Sequence, residues 1–550
     1  MNRQKEKGVA LILALILLLI MSVMAVSLMF LSQTETWSSI NYKLMSQARD
    51  GAEAGVNAAA NYIIDTYAPP STTGTDQLSS YNNNVSPVQY PAANNTNHDV
   101  VLSTSNSHKA SNYPVSSDET AFQSAAQGSL SAGNVGVNYA TSATLLSQEQ
   151  VLPYGSATYE TVQTWRITSD GTISGVRAAD EEVSAVLEKQ VTPVFSYAAF
   201  ATGSGCGALN FGGGGGTASY DSSNLTLHSG TPVVSGSQAN VGTNGNLAEN
   251  GNPTTISGNL YTPRTGTGSC SSGNVTGWTD TGGHVTGSLV QLAQPVSYPT
   301  PSAPSPTPPT TAPITLNNSA GDCGGVVGCV YGTGPISGGG NGCPAGDFCL
   351  EPGTCPPTAP VSPAITAPGV YGDITIKGNV HLFNTMSNNL NPPLSPAPSP
   401  AVDLGCYNIN SLVENGGGTL IIDSVYPTGT TTATNGSVVM NVAGTGVTTP
   451  VDLTGGGLIN NAGWNPALFQ LIYAGTGTIN VKGGANAVGV LYAPNANLSF
   501  NSAGGNWYGS VITGTMSDLG HAQINYDVNL MKQAATVSNW MLDSFTWKKN

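Results

Sequence analysis

Val9 to Leu31 reads VALILALILLLIMSVMAVSLMFL, 23 residues without a charge. A helix of that length spans a hydrocarbon layer of roughly 30 Å. Before it stand Arg3, Lys5 and Lys7 against Glu6, an excess of positive charge that keeps this end cytoplasmic. After it no proline occurs from Ser32 to Asp65. Ile40, Leu44, Ala48, Gly51, Gly55, Ala58 and Tyr62 recur at three- and four-residue spacing, which marks one face of a helix. Pro69-Pro70 ends it. The pattern predicts one helix from Val9 to about Asp65, roughly 85 Å long, half apolar throughout and half amphipathic. A cleaved secretory signal would have a shorter apolar core and a small-residue cut site, and Ser32-Gln33-Thr34-Glu35 is not one. A simple signal anchor fits the hydropathy equally well. The small residues Gly51-Ala52-Glu53-Ala54-Gly55 predict close approach of another helix, as in the core of a filament.

Lys7-Gly8 followed by Val9-Ala10-Leu11-Ile12-Leu13, then Glu35, then Ala52-Glu53-Ala54-Gly55, resembles the N-terminal region of PilX-type minor pilins of type IV pili. The resemblance covers residues 1–65. It implies a leader, residues 1–8, cut between Gly8 and Val9 by a prepilin peptidase that then methylates the Val9 amine. It implies inner-membrane residence before assembly, other major and minor pilins as partners, and a later place in the surface pilus. Major pilins carry Glu at the fifth mature residue, and here that position is Leu13. Such a carboxylate would pair with a neighbour's amine in apolar surroundings. A subunit with no neighbour beyond it has no need of one, and K-type minor pseudopilins of type II secretion lack it too. The candidate filament-packing residues are Leu13, Glu35, Arg49, Gly51, Glu53 and Gly55. For Glu35, Arg49 and Glu53 the alternative is that they are solvated helix charges.

Composition sets the class of the remainder. Only 8% of the 550 residues are charged and 68 are glycine, so strands and turns are expected over helices. The formal charge of −15 and the scarcity of Lys and Arg exclude a generic nucleic-acid partner. The eight cysteines, Cys206, Cys270, Cys323, Cys329, Cys343, Cys349, Cys355 and Cys406, follow no metal-site spacing. They read as disulfides in an oxidising compartment, with the pairing open.

The fold class expected is α+β: the long helix, then a mostly-β region. Residues 66–135, rich in Asn, Ser and Thr, read as a polar loop region. Residues 136–192 alternate as a small antiparallel sheet packed on the helix, with Ser169-Asp170-Gly171 as a turn. From residue 193 to 550, Gly-led strands such as Gly489-Val490-Leu491-Tyr492 and Gly509-Ser510-Val511-Ile512 stand twenty residues apart. That spacing suits a parallel β-solenoid, with a β-sandwich as the alternative. Pro295 to Pro313 and Pro392 to Pro400 read as stiff polyproline linkers, and the cysteines between them as a disulfide-pinned excursion over about 295–360. Gly212 to Gly216 reads as a flexible loop, and Trp540 to Trp547 as a closing strand or cap.

Catalytic sets are missing from the sequence pattern. His98, His108, His228, His284, His381 and His521 form no paired motif and read as surface or turn residues. No nucleophile elbow, phosphate loop or calcium loop occurs. Lyase chemistry on a solenoid needs clustered cations, and Arg264, Lys377 and Lys482 are the only ones from 190 to 530. No enzyme, metal or cofactor is expected. Trp278, Trp464, Trp507 and Tyr508 are either sugar-stacking platforms or core residues. Three functions remain: a structural pilin of a priming or tip complex, an adhesive module or tip adhesin meeting a surface receptor, and a K-type pseudopilin.

Overall fold

The computed structural model describes residues 5–71, 76–90, 98–132, 135–151, 154, 159–175, 178–234, 236–250, 254–280, 284–332, 343–353, 369–386, 404–426, 437–453, 458–460, 463–481, 486–500, 505–518, 520–532 and 535–549. The chain forms two compact units. One comprises residues 1–151, 160–190 and 539–550; the other comprises 152–159 and 191–538.

In the first unit helix α1, Lys5–Asp65, is continuous. Its outer half lies on an antiparallel sheet of β1 (Val101–Ser103), β2 (Gln127–Ala132), β3 (Val135–Val151), β4 (Glu160–Ile173) and β5 (Ala179–Pro193). The C-terminal strand β6, Ala535–Lys549, adds itself beyond β5, giving the order β1-β3-β4-β5-β6 with β2 also on β3. Residues 539–550, expected with the C-terminal region, therefore close the sheet of the N-terminal unit. Ala52, Val56, Ala59 and Ile63 of α1 share a core with Leu145, Trp165, Ile167 and Leu187 of the sheet.

Ser169-Asp170-Gly171 is not a turn. It lies inside β4, paired with Val183, Glu182 and Glu181. A Cβ on Gly171 would stand 1.9 Å from the Ala48 carbonyl oxygen. The glycine is there so that helix backbone can touch strand backbone. Residues 66–135 are likewise not a loose region where described. They hold β1, β2 and helix α2 (Ser116–Ala125), and they bury Tyr67, Tyr81, Val100, Leu102, Tyr113 and Phe122.

The second unit is a parallel β-solenoid with three strand-bearing faces. Coil upon coil, like residues stack in register. One ladder runs Leu289, Leu260, Val241, Ala199, Val511, Leu491, Leu471, Met440 and Tyr407. A second runs Leu247, Leu209, Met516, Leu498, Ile479, Val451, Leu412, Ile374 and Ile314. Gly489 and Gly509 are direct neighbours across coils. These inward ladders form one continuous apolar core, each coil covering the next.

The coils are not stacked in chain order. Residues 199–220 lie between the coil beginning at Val241 and the last coil, 511–527. The staircase therefore runs from 314 to 527 and continues directly into 199 to 291. What joins its two ends is the proline-rich stretch, a strap laid along the stack and not a free linker. Val296 exchanges two hydrogen bonds of 2.8 Å with the Asn244 side chain. The Tyr492 hydroxyl donates to Pro299 O at 2.7 Å, Asn495 to Thr300 at 3.0 Å and Asn408 to Pro306 O at 3.3 Å. Those partners come from levels progressively further along the stack. Proline lacks an N–H, so a strap of this composition leaves few donors to satisfy while its carbonyls accept from side chains. Pro392–Pro400 lies outside the described residues.

The cysteine-rich segment is also no excursion. Ile314–Leu316 and Phe348–Leu350 pair in parallel with the next coil, and Cys323, Phe348 and Leu350 belong to the core. Gly212 to Gly216 is a corner between strands Leu209–Gly212 and Gly216–Tyr220. Trp507 and Tyr508 are buried, which removes them as sugar platforms, and the half-buried Trp278 donates to Glu249 at 2.7 Å.

Candidate functional site

The stem of α1 carries the feature with the plainest functional meaning. Every residue from Val9 to Ser39 is exposed, in a helix long and apolar enough to cross a membrane. Val9 is 59% and Leu13 61% exposed. No soluble chain leaves such a surface in water, so lipid or other apolar helices must cover it. Gly8 lies inside the helix and residues 1–4 lie outside the described residues.

The other expected assembly residues divide. Glu35 is exposed on the stem. Arg49 and Glu53 form an ion pair of 3.1 Å at i,i+4, both about two-fifths exposed, and the Arg49 guanidinium also stands 5.4 Å from the centre of the Trp547 ring. Gly51 and Gly55 do not face a neighbouring helix. A Cβ on Gly51 would meet Val137 at 2.4 Å, and one on Gly55 would meet Ser169 at 2.1 Å and Thr141 at 2.7 Å. The stripe of small residues admits the chain's own sheet. Spacing identified a close approach; it could not say to what.

Among the described residues the disulfides Cys206–Cys270, Cys323–Cys329 and Cys343–Cys349 are formed. Cys406 is also disulfide-bonded, and Cys355 lies outside the described residues.

Polar groups inside the solenoid escaped the sequence reading. His381 is buried, not a surface residue. Its Nδ1 lies 2.5 Å from Asp423 and its Nε2 3.2 Å from Asp347. Burial opposes the imidazolium, yet the two carboxylates outweigh it and hold the pKa above the usual value. The two carboxylates bracket the ring from opposite nitrogens, so the three groups do not converge on a point where an ion could sit. No group of three or more metal-ligating side chains occurs among the described residues. Glu249, Glu414 and Asp518 occupy inward positions of one ladder, among Phe211, Phe500, Leu453 and Ile376. Burial pushes Glu249 and Asp518 up to about 7 and Glu414 up to about 8. A strand alternates faces whatever its residues, so the parity of Glu414 with Leu412 was the available signal.

Residues 7–57 match the family model for the PilX N-terminal region. The N-terminal region is that of a PilX-type pilin. Residues 414–533 match a second model, a domain of unknown function (DUF7305), which covers the solenoid from Glu414 to the exit of its last coil. The chain thus carries a PilX-type pilin N-terminal region followed by a large C-terminal domain. It is also similar to the competence-associated pilin ComZ from Thermus thermophilus, at 11% identity over 92% of this chain and 98% of that one. The TM-score is 0.18, too low for the superposition to support any argument. No curated protein matches the chain.

Proposed function

We propose that this PilX-type protein is a structural minor pilin of the priming or tip complex, with its solenoid as the displayed domain. The observation that carries the reading is the stem: wholly exposed, apolar, of PilX type, and with Leu13 where a shaft subunit needs a carboxylate. A prepilin peptidase removes residues 1–8 and methylates Val9. The chain then waits in the inner membrane, N-terminus cytoplasmic and both folded units periplasmic, before entering the pilus beside other pilins. Leu13 forms no ion pair with a following subunit's amine, which limits the chain to a position where no such pair is required. Display of an adhesive surface on the same tip is compatible with this role and adds a receptor as partner.

N-terminal sequencing of the chain from sheared filaments tests the processing: methyl-valine at position 9 is expected, and an intact Met1 sinks the reading. Fluorescent labelling tests the position. Signal confined to pilus ends is expected, and signal along the whole shaft refutes a tip role. Intact pili in a deletion strain that no longer attaches would shift the role to adhesion, and blocked exoprotein release with normal pili would shift it to type II secretion.

A further inference from the structure

We propose that closure of the solenoid controls completion of the pilin-unit sheet, so that a subunit whose solenoid is open is withheld from assembly. The filament half of this proposal rests on the minor-pilin reading; the coupling itself does not.

The topology carries the argument. Strand β5 ends at Pro193 and β6 begins at Ala535, so the whole solenoid is inserted between two neighbouring strands of one sheet. Bringing β6 to β5 across an unfolded insertion of that length costs closure entropy that grows with the logarithm of the loop. The folded solenoid removes that cost because its first and last coils are stacked on each other. Gly216–Tyr220 pairs residue for residue with Gln523–Asp527, and Val511, Ile512 and Thr513 pair with Ala199, Phe200 and Ala201. Side chains lock this seam where the chain enters and leaves. The Tyr526 hydroxyl donates to Phe195 O at 2.6 Å. Asp527 accepts from Ser222 N at 3.0 Å and from the Ser222 hydroxyl at 2.6 Å, and Asn529 donates to Asp221 at 2.5 Å. A solenoid stacked in chain order would put its two ends at opposite ends of the staircase. The permuted order puts them side by side, and it is the seam that does so.

Strand β6 is in turn what finishes the pilin unit. Trp540 and Leu542 pack on the core that holds α1 to the sheet, Lys189 stands 5.9 Å from the centre of the Trp540 ring, and Trp547 covers Arg49. With β6 away, β5 presents an unpaired edge and Arg49 loses its aromatic partner. Unpaired edges are sites of wrong association. The same strand that senses the seam therefore decides whether the pilin unit is whole.

Amide hydrogen exchange on the full chain in detergent micelles reads the coupling. In a Ser222→Ala/Asp527→Ala variant, exchange in 511–527 and in 540–548 should rise together, at least tenfold, while the β3–β4 pair and coils 404–426 keep their protection. Faster exchange in 511–527 with 540–548 unchanged overturns the proposal. A variant that tightens the seam guards against simple misfolding: Ala218→Cys/Asn525→Cys, register neighbours across it, should slow exchange in 540–548 under mild urea. No slowing with the cross-link formed also overturns the proposal. In cells the seam-open variant should fall several-fold in sheared filaments at equal membrane level, and undiminished recovery there removes the assembly half. If the wild-type chain is itself missing from filaments, the pilin reading fails while the exchange result stands on its own.

Discussion

The two units solve the same problem, burying apolar surface with few charges, in opposite ways. The first has a long helix whose outer half finds its partner in an antiparallel sheet, and its stability is concentrated in a few close approaches such as Gly171 against Ala48. The second spreads its stability over ladders of equivalent residues, each coil lending a face to the next. One unit should fail at points, the other by lengths of stack.

The largest expected effect separates long cross-links from short ones within the stack. Cys206–Cys270 closes 64 residues, and Cys343–Cys349 closes 6. On loop-closure grounds, replacing the first pair by serine should cost about 4 kcal/mol and the second about 2 kcal/mol. Urea unfolding of the solenoid, followed by the buried Trp507, measures both. Equal costs would mean that local packing, not chain length between coils, sets the stability of this unit.

Next is the point-failure test. Gly171→Ala places a methyl group where the Ala48 carbonyl stands, and backbone cannot yield as a side chain can. The first unit should lose about 3 kcal/mol. Proteolysis or exchange mapped to α1 and β4 should show it, with the coils 404–426 undisturbed. A variant as stable as the parent would break the picture of concentrated contacts.

These two tests bear on what was legible. The α1 period, the β3–β5 alternation and the twenty-residue echo of Gly489 and Gly509 are local patterns, and local patterns survive folding. Gly171 was misread because glycine marks both turns and close approaches, and only the partner across the contact tells them apart. The strap from Pro295 was misread as a linker because polyproline looks the same free or packed. The coil order was invisible, since a stack permuted in sequence has the same strand periodicity as one that is not. His381 was missed because both of its carboxylate partners, Asp347 and Asp423, lie more than thirty residues away. Of the residues expected to pack in a filament, Leu13 and Glu35 are exposed, whereas Gly51 and Gly55 lie against the chain's own sheet.

The inward carboxylates give the stack a pH dependence of its own. Burial pushes Glu414 up to about 8, so between the ordinary carboxylate range and about 8 the folded chain keeps a proton that the unfolded chain has lost. The unfolded state then binds fewer protons, and stability falls as pH rises, by at most about 1.4 kcal/mol per unit for one group. Glu249 and Asp518 stop contributing near 7. Between pH 7 and 8 the parent solenoid should therefore keep losing stability while Glu414→Gln levels off. Calorimetry at closely spaced pH values decides it, and a parent curve flat from 6 to 9 would show that these groups are ionised and solvated.

The smallest effect tests whether the exposed helix charges hold the unit together or serve something outside it. Arg49 pairs with Glu53 at i,i+4 and lies beside Trp547, all three largely open to water. An exposed pair of this kind contributes about 0.3–0.5 kcal/mol, and an exposed cation–π contact about 0.5–1 kcal/mol. Arg49→Ala should therefore cost about 1 kcal/mol in the isolated chain, and Arg49→Lys less, since the ammonium keeps part of both interactions. Thermal unfolding of the first unit measures this cost. If filament incorporation falls far more than so small a cost can produce, Arg49 also makes a contact with a neighbouring pilin. If stability and incorporation fall in proportion, its work ends at Trp547 and Glu53, and the surfaces that other pilins meet must be sought on the bare stem.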